Sequence, residues 1–183
     1  MNQQEKQILL DLAKSSILHG LQTGKPLKID PADFPPALLE PGATFVTLHK
    51  NNELRGCVGM LKAVRPLGED IAENAFAAAF RDHRFPPLAA EELNQLAIHL
   101  SILTPPEPIT FDSEEDLLAQ LRPRIDGLII EENGRRGTFL PTVWETLPNP
   151  KQFLRHLKQK AGLPADYWSD SVRFFRYRTE GIG

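Results

Sequence analysis

Two short turn signals constrain this chain most. Asn51-Asn52 separates the β-branched and aromatic run Ala43 to His49 from a second run, Leu54 to Met60, and Asn133-Gly134 interrupts the stretch Gly127 to Leu140. Asn and Gly tolerate the positive φ angles of a two-residue hairpin turn, so each signal predicts two adjacent antiparallel strands. Residues 96 to 103 alternate well enough for a further strand, and Ser171 to Thr179 reads as the closing one.

Helical periodicity falls between these strands. Ile8, Leu9, Leu12, Ala13 and Ile17 share one face of an opening helix over residues 4 to 20, with Gly20 and Gly24 as stop signals. Pro66 fits the first position of a second helix, in which Ala72, Ala75, Phe76, Ala79 and Phe80 form a stripe of mostly small side chains suited to close packing on a sheet. Asn149 caps a last helix that begins at Pro150, buries Phe153, Leu154, Leu157 and Ala161, and stops at Gly162 and Pro164. Helices and strands intermix without a βαβ rhythm, which predicts an α+β fold. At 183 residues, a single unit spanning 1 to 183 is expected, and its 16 prolines cluster where elements connect.

Charge and cysteine content narrow the function classes. No apolar run is long enough to span a bilayer and the polar amino terminus does not read as a signal peptide, so a cytoplasmic location is expected. The lone Cys57 rules out an internal disulfide, and His19, His49, His83, His99 and His156 are scattered, so no metal site is expected. Neither a phosphate loop nor a dinucleotide fingerprint is present, and no cofactor is implied. The last 33 residues carry seven Lys/Arg against three Asp/Glu on a chain of net charge −3. Arg173 to Arg178 interleaves basic and aromatic residues, and Lys151, Arg155 and Lys158 line one helix face. That surface suits nucleic acid or an acidic partner. The reading preferred over it is a charged edge strand beside a solvated helix face, with nucleic-acid binding unlikely on an acidic chain.

The segment with most chemistry is Leu54-Arg55-Gly56-Cys57-Val58-Gly59. Glycine inside a strand marks a bulge or the close approach of a ligand or another backbone. Regular alternation places Arg55 and Cys57 on one face, with Leu48 opposite Arg55 and Val46 opposite Cys57, so that the guanidinium favours the thiolate and the thiol is modifiable. The plainer alternative is an inert, packed cysteine. Asp82, His83 and Arg84 offer a proton relay or an anion clamp to the same face. Alternatively, Arg81 and Arg84 satisfy a helix end while Phe85 plugs the core. Glu145 is a further candidate acid, though an exposed helix-start residue is the plainer reading.

These residues resemble the AMMECR family. The hexapeptide Leu54 to Gly59 matches its signature, and the similarity runs in order through Phe45 to Leu48, Asp82 to Pro87, Ser101 to Thr104, Gly127 to Ile130, Phe139 to Trp144 and Lys160 to Pro164. The resemblance implies an α+β fold of two intimately packed subdomains with mainly antiparallel sheets and flanking helices. It further points to the prokaryotic branch called AmmeMemoRadiSam system protein A, whose members travel with a Memo-like protein and a radical SAM enzyme. On that reading Cys57 and Asp82 are the candidate catalytic residues and Arg55, Gly56, Gly59, Arg84 and Glu145 the candidate binding residues of an accessory or catalytic component. A non-catalytic protein-interaction scaffold and a nucleic-acid-binding regulator are the rivals. Two positions depart from the family pattern. His83 stands where proline is common, and Lys158 where many members carry a cysteine, which counts against a two-cysteine mechanism.

Overall fold

A computed structural model describes all 183 residues, Met1–Gly183. The elements in chain order are α1 (Gln3–Thr23), β1 (Pro41–Lys50), β2 (Glu53–Gly59), β3 (Arg65–Pro66), α2 (Leu67–Phe80), β4 (Leu96–Leu103), β5 (Glu107–Pro108), α3 (Glu114–Gln120), β6 (Gly127–Glu132), β7 (Arg135–Phe139), α4 (Pro150–Lys160), β8 (Arg173–Tyr177) and β9 (Thr179–Ile182). They form helices and two antiparallel sheets, the α+β class. No helix is long and apolar enough to cross a membrane. The chain divides into two units, residues 1–103 with 180–183, and residues 104–179.

In the first unit the sheet runs β2-β1-β4-β9, with β3 also pairing β1. Asn51 and Asn52 take φ angles of 52° and 63° and join β1 to β2 in the two-residue turn that the sequence predicts. Thr44, Val46 and Leu48 alternate along one face of β1 and are fully buried, and the latter two pack with Ile71, Ala75 and Ala78 of α2. The helix meets the sheet through a buried polar network: Thr44 Oγ1 donates to Asp70 Oδ2 at 2.7 Å, Asn74 Nδ2 donates to the Thr44 carbonyl at 3.1 Å, and Arg65 Nε donates to Asp70 Oδ1 at 2.8 Å. Every buried polar group there has a partner, so the network fixes the seating of α2 without leaving an orphaned charge.

Two helix boundaries differ from expectation. Helix α1 runs past Gly20 and ends at Gly24, whose φ is +70°; Gly20 is buried, and a Cβ there would lie 2.5 Å from the Phe80 ring, so that glycine serves helix contact and not termination. Helix α2 begins at Leu67, with Pro66 as its cap residue.

In the second unit the sheet order is β5-β8-β6-β7. Leu128, Ile130 and Phe174 pack with Phe153, Leu154 and Leu157 of α4, and the Trp144 and Phe153 rings stack at 3.7 Å. The hairpin β6–β7 turns at Asn133 and Gly134, and Asn149 caps α4 by accepting the Lys151 and Gln152 N–H groups, both as the sequence predicts. Two expectations fail here. Strand β8 is paired on both sides, so it is not an edge. Phe174 enters the core, and Arg176 lies 3.6 Å from the buried Asp126. Lys158 is not on a solvated face: it is fully buried, 2.7 Å from Glu114 Oε1 and 5.5 Å from the centre of the Trp168 ring. Burying an ammonium is costly, and that carboxylate and ring compensate it.

Candidate functional site

The hexapeptide lies on β2, an outer strand of the first unit's sheet. Leu54 pairs with His49, but the next pair is Gly56 with Leu48, so Arg55 has no partner on β1 and the strand bulges there. Cys57 therefore faces Thr47, and Val58 faces Val46. The expected pairing of Leu48 with Arg55 and Val46 with Cys57 is thus displaced by one residue, because the extra residue of a bulge leaves no signature in a strand's alternation.

Both glycines answer to internal packing. A Cβ on Gly56 would stand 2.1 Å from the carbonyl oxygen of Ala78 in α2, and one on Gly59 would stand 2.3 Å from the Phe45 ring and 2.4 Å from the Thr44 carbonyl oxygen. Of the two close approaches that a strand glycine signals, the structure provides another backbone.

The bulge separates Arg55 from the thiol. Arg55 Nε and Nη2 donate to the two oxygens of Glu92 at 3.0 Å each, and Nη2 also donates to the Pro86 carbonyl at 2.9 Å. Lys50 Nζ and the Ala89 N–H complete the shell of Glu92, at 3.0 and 2.9 Å. Hydrogen bonds from the Arg55 guanidinium, then from the Ala89 N–H and Lys50, push Glu92 down to about 2. Arg55 is buried, and its remaining Nη1 has no acceptor. The guanidinium beside the Cys57 backbone is instead that of Arg84.

Asp82 and Arg84 clamp the outer edge of the strand. Asp82 Oδ2 accepts the Cys57 N–H at 2.9 Å and Arg84 Nη2 at 2.7 Å, while Oδ1 accepts Arg84 Nε at 3.0 Å and the Arg84 N–H at 3.1 Å. Arg84 Nη2 also reaches the Cys57 carbonyl at 3.5 Å, a long contact. The pair thus stands where a neighbouring strand's N–H and C=O would stand. The Arg84 guanidinium, with help from the Cys57 N–H, holds the Asp82 carboxyl well below the usual carboxylate range, and Asp82 in turn raises Arg84. An ionised carboxylate with four donors on it is built to position a backbone, not to relay a proton.

The thiol itself is half-buried on the sheet face turned away from α2, since Thr47, its opposite number, alternates with the buried Val46 and Leu48. Cys57 Sγ and Thr47 Oγ1 are 3.3 Å apart. His83 is exposed and joins nothing in the cluster. Phe85 does not plug the core, a place that Leu88 takes; its half-buried ring lies 5.9 Å from the Arg55 guanidinium carbon and 5.5 Å from that of Arg84. Glu145 belongs to the second unit, where it is exposed at the end, not the start, of a one-turn helix over Pro141–Glu145. No three His, Cys, Asp or Glu side chains converge to hold a metal ion.

Glu92, Lys50 and Thr47 complete this arrangement and escape a reading of the sequence alone. Glu92 lies 37 residues from Arg55, and no local pattern links the two. Thr47 becomes visible only once the register is known.

Comparison with known proteins gives one consistent result. The family model described as AMMECR1 matches residues 10–182. A protein of Methanothermobacter thermautotrophicus is 36% identical over 186 residues, covering 98% of this chain and 94% of its own. Protein MJ0810 of Methanocaldococcus jannaschii is 36% identical over 173 residues, covering 90% of this chain and 83% of its own. Among solved structures, that of the uncharacterized protein PH0010 from Pyrococcus horikoshii superposes with a TM-score of 0.92 at 34% identity, covering 99% of this chain and 92% of its own.

Proposed function

The chain belongs to the AMMECR1 family, and from that premise we propose that it is an accessory or catalytic component of a modification pathway shared with Memo-like and radical SAM partners, with the Cys57 thiol as its reacting group. One observation carries this reading. The strand bearing Cys57 is clamped at its N–H by Asp82 and contacted at its carbonyl by Arg84, while the thiol stays half-exposed on the open face. Fixing the backbone around a nucleophile whose side chain is left uncovered is the arrangement that a positioned thiol requires. Asp82 and Arg84 then serve as positioning residues, and Arg55 Nη1 is the one buried donor in the segment without an acceptor.

The internal saturation of Asp82 and Glu92 favours a second reading, a scaffold that performs no chemistry, because no acid or base is left over for proton transfer. Native protein treated with iodoacetamide and examined by peptide mass spectrometry distinguishes the two, beside Cys57→Ser in a pathway assay in the native host. The thiol reading expects stoichiometric alkylation in the folded state and loss of pathway function in Cys57→Ser. A thiol that reacts only on unfolding, or a Cys57→Ser strain that behaves as the parent, assigns the scaffold role instead.

A further inference from the structure

The second unit holds a cleft of about 340 Å³ at the tip of the β6–β7 hairpin, lined in part by Glu131, Arg135, Arg136, Ser171 and Arg173. It owes nothing to Cys57. Register creates it: Glu131 on β6 stands opposite Arg136 on β7 and opposite Arg173 on β8, so one carboxylate is flanked by a guanidinium on each neighbouring strand. Glu131 Oε1 lies 3.2 Å from Arg136 Nε, and Oε2 accepts Arg173 Nη2 at 3.0 Å. The second carboxylate, on the buried Glu132, accepts Ser169 Oγ at 2.5 Å and Ser171 Oγ at 2.8 Å. Arg135 donates to the Gly162 carbonyl just past the end of α4.

Three guanidiniums therefore face two carboxylates, and both oxygens of each carboxylate are engaged. Each guanidinium carries five N–H donors, of which these contacts use only a few. The unsatisfied hydrogen-bonding capacity of the cleft thus lies on cationic donors, and Glu131 holds two of the three forks in fixed positions before any ligand arrives. Three guanidiniums against two carboxylates leave the cleft one positive charge in excess, which an anionic ligand would neutralise. Planar forks of this kind bind carboxylates and phosphates through paired, charge-assisted hydrogen bonds. The volume falls in the range of small-ligand pockets, roughly 300 to 1,000 Å³.

We propose that this cleft binds the oxyanion end of a small molecule, a phosphate or carboxylate group, between the guanidiniums of Arg136 and Arg173. The two sources share one chemistry and are separated by the probe. Protein labelled with 15N is titrated with inorganic phosphate and, separately, with succinate, at an ionic strength held constant with sodium chloride, while the arginine Nε–H resonances are followed. The expected result is a saturable shift of Arg136 and Arg173 with at least one probe, and the probe that saturates names the group. Arg173→Gln should weaken that binding by about tenfold, the loss of a charge-assisted contact. Because the Arg173 side chain is 69% exposed, the variant should keep the parent's melting temperature, which circular dichroism checks. Shifts absent with both probes up to tens of millimolar, equal shifts with chloride alone, or an Arg173→Gln protein that binds as the parent does would each overturn the assignment.

Discussion

Replacing Gly56 by alanine tests whether the glycines of the hexapeptide serve packing or access. The added methyl would sit 2.1 Å from the Ala78 carbonyl oxygen and 3.0 Å from its carbon. Carbon–oxygen contacts normally fall no closer than about 3.3 Å, so strand and helix must part by about 1 Å. The obstacle is backbone, which cannot rotate away, and the surfaces forced apart include the fully buried Leu48, Ile71 and Ala75. Overpacking of a core costs about 1–3 kcal/mol, and an immovable neighbour argues for the upper end. About 3 kcal/mol lowers the melting temperature of a chain this long by about 6–12 °C. Both tryptophans, Trp144 and Trp168, lie in the second unit, so fluorescence would report on the wrong part of the chain. Far-UV circular dichroism and amide exchange in α2 are the appropriate readouts. Gly134→Ala is the control: nothing lies within 4 Å of its Cβ, but its φ is +74°, so it should cost only the left-handed penalty of about 1–2 kcal/mol. A Gly56→Ala protein within about 0.5 kcal/mol of the parent, the size of a surface change, would refute the packing argument and return Gly56 to a role in ligand approach.

Reversing charge at Lys158 should destabilise the second unit by about 3–5 kcal/mol, because a carboxylate is buried in place of an ammonium and against Glu114; Lys158→Met should cost less in the same urea titration, since the Glu114 side chain is 36% exposed and can be solvated. Lys151→Glu and Arg155→Glu should stay within about 0.5 kcal/mol of the parent, and a Lys158→Glu protein as stable as these two would contradict the burial of that side chain. For pH, Glu92 and Asp82 are both depressed in the folded state, so their stabilisation is complete above the ordinary carboxylate range and is lost progressively as pH falls from that range through the lower folded-state values. Urea midpoints should therefore be steady from about pH 7 to 5 and decline from about pH 4.5 toward 2, with a shallower decline in Glu92→Gln; stability rising on acidification would reverse the assigned sign.

What the sequence discloses about this fold is local. Asn51-Asn52 and Asn133-Gly134 specify their turns within two residues, Asn149-Pro150 starts a helix within two more, and Leu96 to Leu103 alternates as a strand must. Each is a short-range preference that the tertiary structure did not override. What escaped depends on distant partners. Lys158 sits on a helix whose charged residues look solvated until Glu114, 44 residues earlier, is brought against it. The segment Arg173 to Tyr177 has the composition of a protected edge, yet two strands, one of them only two residues long, cover both its sides. Gly20 resembles a stop signal because the Phe76 and Phe80 rings that require it belong to another helix.

The bulge at Arg55 changes which guanidinium stands near Cys57. With regular alternation, removing Arg55 would deprive Cys57 of a cationic neighbour; with the observed register that guanidinium is bound to Glu92 and Pro86, and the one contacting the Cys57 backbone is Arg84. Arg84 is also what offsets the Asp82 carboxylate, which accepts the Cys57 N–H. Its removal leaves an uncompensated negative charge one hydrogen bond from Cys57, and a negative neighbour disfavours a thiolate. Alkylation of native protein at fixed pH should therefore be slower in Arg84→Gln than in the parent and unchanged in Arg55→Gln, with circular dichroism confirming that both variants are folded. Arg84 is the safer of the two to replace, its side chain being 57% exposed against 10% for Arg55. The opposite pattern, Arg55→Gln slowed and Arg84→Gln unaffected, would mean that Arg55 lies beside the thiol in solution and that the strand pairs without its bulge.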